Sequence, residues 1–102
     1  VQGIGGAMFE ECMYSEDGQL LNGSMADYLV PMAGEMPDMV IGHVQTPTKT
    51  SELGAKGAGE AGTAGAPGAV MNAINDALAP LNANVSVQPF TPQRVLAALG
   101  KI

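Results

Sequence analysis

The sequence predicts an α+β fold of short strands and about three helices. Three observations carry this. Apolar residues recur at helical spacing near the start, in the region after Pro67 and near the end. Short β-prone runs, such as Met39-Val40-Ile41-Gly42-His43-Val44, lie between turn residues. Pro and Gly punctuate the chain often enough to keep every element short.

Taken in order, residues 3–13 read as the first helix, with Ile4, Ala7, Met8 and Cys12 on one face and Glu10 and Glu11 charged. Ser15-Glu16-Asp17-Gly18 is a turn, because Asp-Gly is common turn chemistry. Gln19–Asn22 and Asp27–Val30 are expected as short strands around Gly23-Ser24. Pro31 and Pro37 bracket an irregular stretch, Met39–Val44 is a further strand, and Thr46–Ser51 is a polar loop. Pro67 suits the first turn of a second helix, since its missing N–H is unneeded there. Val70, Ile74, Ala77 and Leu81 form that helix's apolar stripe, and Pro80 limits its length. Asn84–Val87 is a possible strand. Thr91-Pro92 then opens a last helix as N-cap and first helical residue, Val95, Leu96 and Leu99 are its apolar side, and Gly100 stops it.

The bulk numbers restrict the function classes. The 102 residues allow one domain at most. With 14 Gly, no Trp, 2 Phe and 2 Tyr, the core the chain can build alone is small. The chain also starts at Val1, so it is expected to be a piece of a longer protein that buries its apolar residues against neighbouring segments. A net charge of −6 with only 4 Lys+Arg argues against nucleic acid and against an anionic membrane surface. No apolar run approaches the ~20 residues of a membrane span. The single cysteine, Cys12, excludes an internal disulfide and reads as a small buried hydrophobe in a reducing compartment.

One feature carries chemistry. Lys56-Gly57-Ala58-Gly59-Glu60-Ala61-Gly62-Thr63 places a single carboxylate in a glycine-dense loop just before a helix. Glycines let a backbone approach a bulky group closely, and a helix N-terminus offers free N–H groups to an anionic ligand. Glu60 is thus either a solvated loop carboxylate or a positioned acid/base. Residues 57–62 match G-x-G-x-x-G, but the dinucleotide fingerprint needs a preceding strand and a surrounding βαβ unit. A Pro/Thr/Lys loop precedes this one, and Glu60 would face the pyrophosphate with a negative charge. A P-loop fails because Gly57, not Ser or Thr, follows Lys56.

The same residues resemble a known family. Lys56 and Gly57-Ala58-Gly59-Glu60, then Gly65-Ala66-Pro67 and Asn72-Ala73-Ile74, look like the C-terminal part of the molybdenum-binding large subunit of the xanthine dehydrogenase/aldehyde oxidase family. The bacterial aldehyde, carbon monoxide and N-heterocycle dehydrogenases are closest in style. Val1-Gln2-Gly3-Ile4-Gly5-Gly6-Ala7, Glu10-Glu11, Gly18-Gln19-Leu20-Leu21, Asp27-Tyr28-Leu29-Val30-Pro31, Pro37-Asp38 and Thr91-Pro92-Gln93-Arg94-Val95 also fit, in the family's order. The landmarks cover nearly the whole chain; each is weak alone and together they are specific.

The resemblance implies that residues 1–102 are a C-terminal fragment of a molybdenum cofactor-binding domain. It makes Glu60 the catalytic base, taking a proton from metal-activated water. Gly57, Ala58 and Gly59 would lie, by their backbone, against the metal end of the cofactor. The implied cofactor is a molybdenum-pterin, as molybdopterin or its cytosine dinucleotide form, with 2Fe-2S and FAD on partner subunits or domains. The implied partners are the rest of the large subunit, the iron-sulfur and FAD-binding subunits and a small-molecule substrate. The implied location is cytoplasmic, and the isolated piece would be inactive. Lys56 would either neutralise charge near the cofactor or face solvent. Gln2 reads as structural, His43 as a packed or exposed residue, Asp27 and Tyr28 as strand residues without chemistry, and the carboxylates at 10, 11, 16 and 17 as solvated faces and turns. The alternative reading is a non-catalytic acidic interaction module with a Gly-rich connector.

Overall fold

The longest element is built from an alanine-rich stretch. In a computed structural model describing residues 1–102, helix α2 runs from Ala61 to Leu78. It starts six residues before Pro67, which lies inside the helix and not in its first turn. The proline leaves the Thr63 carbonyl without its usual donor four residues on. Alanine at 61, 64 and 66 favours helix strongly enough to extend it past that gap.

Helix α1 spans Gln2–Met8, shorter than the expected 3–13. Its buried residues are Gly3, Gly5 and Ala7, while Met8 is exposed. It packs on α2 through small residues: a Cβ at Gly3 would overlap the Gly62 carbonyl oxygen and the Ala66 Cβ. Gly3 and Ala7 on one helix, like Gly62 and Ala66 on the other, are four residues apart and share a face. The chain leaves α1 at Phe9, where the Ala7 carbonyl accepts from Phe90 N–H at 2.6 Å.

The last helix forms as expected. Helix α3 covers Pro92–Ala98, and Thr91 caps it by accepting from Arg94 N–H at 3.3 Å. Gly100, at φ 65°, closes it in the left-handed conformation. Gly100 N–H reaches the Ala97 carbonyl and Lys101 N–H the Leu96 carbonyl, both at 2.9 Å, which is the Schellman arrangement.

The core lies between the end of α1, the second half of α2, α3 and the connection before α3. Ala7, Leu78, Val85 and Phe90 are its buried members, with Val70, Met71, Ile74, Val95 and Leu99 packed around them. Leu78 therefore takes the place expected of Leu81, which is exposed.

The expected strands do not form, so α+β is corrected to three helices joined by irregular chain. Only an isolated antiparallel bridge, Tyr14 with Leu20, pairs two segments, across the expected turn at 15–18. Residues 27–30 do not extend, because Asp27 and Tyr28 N–H both fold back onto the Ser24 carbonyl. At 84–87, Asn75 occupies the backbone that a neighbouring strand would use. Its Nδ2 donates to the Val85 carbonyl at 2.9 Å, and its Oδ1 accepts from Val85 N–H at 2.7 Å. Residues 39–44 form no strand, and Val40, Ile41 and Val44 are exposed. A strand needs a second strand to satisfy its backbone, and none lies within reach in this chain.

Candidate functional site

Glu60 sits where the glycine loop becomes α2. It is the N-cap residue, at φ −101° and ψ 3°, and its carbonyl accepts from Thr63 N–H, Ala64 N–H and the Thr63 hydroxyl at 2.9–3.1 Å. Its carboxylate caps nothing. The main chain at Glu60 is therefore fixed, while the exposed side chain is free to act. It borders an open concavity of about 490 Å³ with Gly57, Gly59, Ala61 and Ala64. No strand precedes Gly57, which disposes of the dinucleotide-loop reading. The Gly-rich stretch is no continuous connector either, since from Ala61 onward it is helix.

Gly57 and Gly59 have no reason within this chain to be glycine. Neither has positive φ, and a Cβ on either would meet no heavy atom within 4 Å. Gly6, Gly34, Gly42, Gly62, Gly65 and Gly68 share this openness, but Gly57 and Gly59 are the ones bordering the concavity beside Glu60. A bulky group laid against the loop would account for them. The site residues thus fit a large cofactor approaching from outside the chain, held by main chain and not by side chains.

A second cleft of about 630 Å³ adjoins the first and shares Gly57 and Ala61 with it. Its wall includes Gln45, Thr46, Leu53 and Lys56. Lys56 Nζ donates to Thr46 Oγ1 at 2.6 Å in a solvent-exposed bond, and Lys56 pairs with no carboxylate.

Several residues behave differently from their sequence-based reading. Glu11 is no solvated charge: it pairs with Arg94 at 2.6 Å, and Arg94 also donates to the Pro89 carbonyl at 2.8 Å. Glu10 accepts from the Tyr28 hydroxyl at 3.0 Å. That bond, with burial and the Glu10 charge, raises the Tyr28 pKa above its ordinary 10.0. Cys12 is exposed, not buried, because α1 ends before reaching it. His43 and Gln2 are exposed as well. No group of three or more His, Cys, Asp or Glu could hold a metal ion. Asn22, which the sequence did not single out, is the one buried polar residue, bridging Met13 N–H and the Glu11 carbonyl. Its signal, an Asn beside a Gly in a polar stretch, is too common to be read alone.

Residues 1–37 match the Molybdopterin cofactor-binding domain family. The chain is 42% identical over 98 residues to the nicotine 6-hydroxylase large subunit of Paenarthrobacter nicotinovorans, covering 96% of this chain and 12% of that protein. It is 37% identical over 89 residues to the carbon monoxide dehydrogenase large chain of Afipia carboxidovorans, covering 87% and 11%. Among solved structures, quinoline 2-oxidoreductase from Pseudomonas putida 86 superposes with a TM-score of 0.85 at 38% identity, over 98% of this chain and 13% of that one. The chain is a molybdopterin-binding large-subunit segment of the xanthine dehydrogenase/aldehyde oxidase family. Its relatives are molybdenum-dependent oxidoreductases, and it spans 12% of the length of the first of them. No helix is long and apolar enough to cross a membrane.

Proposed function

We propose that this segment forms the C-terminal part of the cofactor-binding domain of a molybdenum hydroxylase or dehydrogenase, with Glu60 as its catalytic base. The parent enzyme oxidatively hydroxylates an N-heterocycle or an aldehyde, or oxidises carbon monoxide, taking its oxygen from water. The carrying observation is an exposed carboxylate with no capping bond on a fixed backbone, beside two glycines that nothing within this chain requires.

The molybdenum-pterin, as molybdopterin or its cytosine dinucleotide form, supplies a Lewis acid for water and an acceptor for the substrate's electrons. The chain's own residues do the rest. The backbone of Gly57, Ala58 and Gly59 lies against the metal end of that group, where side chains would obstruct it. A Glu60 Oε takes the proton released as water adds to the substrate carbon, which requires it within hydrogen-bond reach of that water. Bound 2Fe-2S and FAD on partner subunits or domains carry the electrons onward, and the enzyme works in the cytoplasm. The segment alone, holding one wall of the site, has no activity.

The test is Glu60→Gln in the intact enzyme, assayed by dye reduction with nicotine, quinoline, an aldehyde series and carbon monoxide. A general base contributes roughly 10²–10⁴-fold, so turnover should drop at least that far while molybdenum content is unchanged. Near-normal turnover would refute the assignment.

A further inference from the structure

We propose that Lys56 and Thr46 form a latch that fixes the upstream end of the Glu60 loop, which makes Lys56 a positioning residue for the base. The inference rests on the reading of Glu60 given above.

The problem the latch solves is set by the glycines. Between Lys56 and Glu60 lie only Gly57, Ala58 and Gly59, and glycine has the greatest backbone freedom of any residue. A misplacement of about 1 Å at a reacting group can cost ~10²-fold in rate. A flexible three-residue span can therefore deliver a carboxylate reproducibly only if both its ends are held.

The downstream end is held by α2, whose Gly62 and Ala66 seat against Gly3 of α1. Upstream, the Lys56 side chain reaches back ten residues to Thr46 Oγ1 at 2.6 Å. The loop it grips is itself fastened. Thr48 N–H donates to the Gly54 carbonyl at 3.1 Å, and the Ser51 hydroxyl to the Ala55 carbonyl at 3.1 Å. Gly54 makes its turn at φ 67°, against Pro47. Lys56 is thus tied, through an exposed bond, to a loop that carries hydrogen bonds of its own.

Charge points the same way. The chain has 10 acidic residues and only 4 Lys+Arg, yet the one ion pair in it uses Arg94. Lys56 instead donates to a neutral hydroxyl. Its three ammonium hydrogens can hold that bond and still serve a second acceptor. Gly57 and Ala61 border both clefts, so the latch lines one cleft and Glu60 the one adjoining it.

The test uses the intact enzyme with Lys56→Met, Thr46→Val, the double variant and the conservative Thr46→Ser. Hydrogen exchange of the amides at 57–60, molybdenum content, kcat and KM are read for each. Exchange at 57–60 should quicken about tenfold in both single variants, and kcat should fall about tenfold or more with KM within about twofold. The double variant should be no worse than either single one, because both remove the same bond, and Thr46→Ser should match the parent. Unchanged exchange and kcat in both single variants overturn the latch, as does an additive double variant. Should Lys56→Met lose molybdenum, Thr46→Val, which keeps the charge, decides the matter. An inactive Glu60→Gln beside a normal Lys56→Met removes only the latch; an active Glu60→Gln removes the base assignment, and the exchange measurements still decide the latch.

Discussion

Glu60 and Gly3 illustrate how much a single position can carry here. Glu60 was legible as a candidate because a lone carboxylate among glycines is unusual, but its freedom was not: only the structure leaves its side chain without a capping bond. Gly3 gave no readable signal, since a glycine in a seven-residue helix looks like a defect. Its role appears only where the Gly62 carbonyl and Ala66 fill the space a Cβ would need. Because Gly62 lies two residues from Glu60, Gly3→Ala should both destabilise the subunit, by about 1–3 kcal/mol of overpacking, and lower turnover. Thermal unfolding together with kcat at constant molybdenum content would check this. A variant as stable and active as the parent would show that the seam does not set the loop.

At the scale of elements, turn and cap chemistry proved readable, while strand formation was not. Thr91, Pro92 and Gly100 act locally, through bonds to residues three to five positions away, so their sequence alone announces them. The β-prone run at 39–44 has no partner in this chain, and its apolar side chains stay exposed. In the intact subunit these residues are expected to pair with chain from elsewhere. Their amides should then exchange slowly there, and fast exchange would count against such pairing. The turn after α1 makes a second prediction through Tyr28, whose phenol donates to Glu10. The folded pKa is raised above 10.0, so the protonated phenol is the favoured form. Its stabilising contribution is present in full below pH 10.0 and is lost as pH rises through the higher folded value. In the intact subunit, the part of the phenolate absorbance that Tyr28→Phe removes should titrate above pH 10, and its midpoint should move back toward pH 10 in Glu10→Gln.

The molecule as a whole is too open to be self-sufficient. Its radius of gyration is 17.4 Å, against about 13 Å for a compact domain of this length. Its accessible surface is 7938 Å², against about 5,400 Å² for a compact protein of its mass. Only 8 of 102 residues are buried, so the hydrophobic stabilisation left to the chain alone is small. Expressed by itself, it should unfold without a sharp cooperative transition and show no turnover. A steep, reversible melt by circular dichroism would contradict this.

The sequence by itself determined the family resemblance, the Glu60 loop and the helix caps. Each is written in residue identity or in bonds between near neighbours. The tertiary structure decided what depends on residues far apart: the glycine seam of α1 on α2, the Asn75 clamp on Val85, the Arg94–Glu11 pair and the Lys56–Thr46 bond. It also decided against strands, because pairing is a property of two segments, and beyond the Tyr14–Leu20 bridge no two segments of this chain pair. The physical reason is the same in each case: local chemistry fixes what a residue can do, and packing fixes which partner it meets.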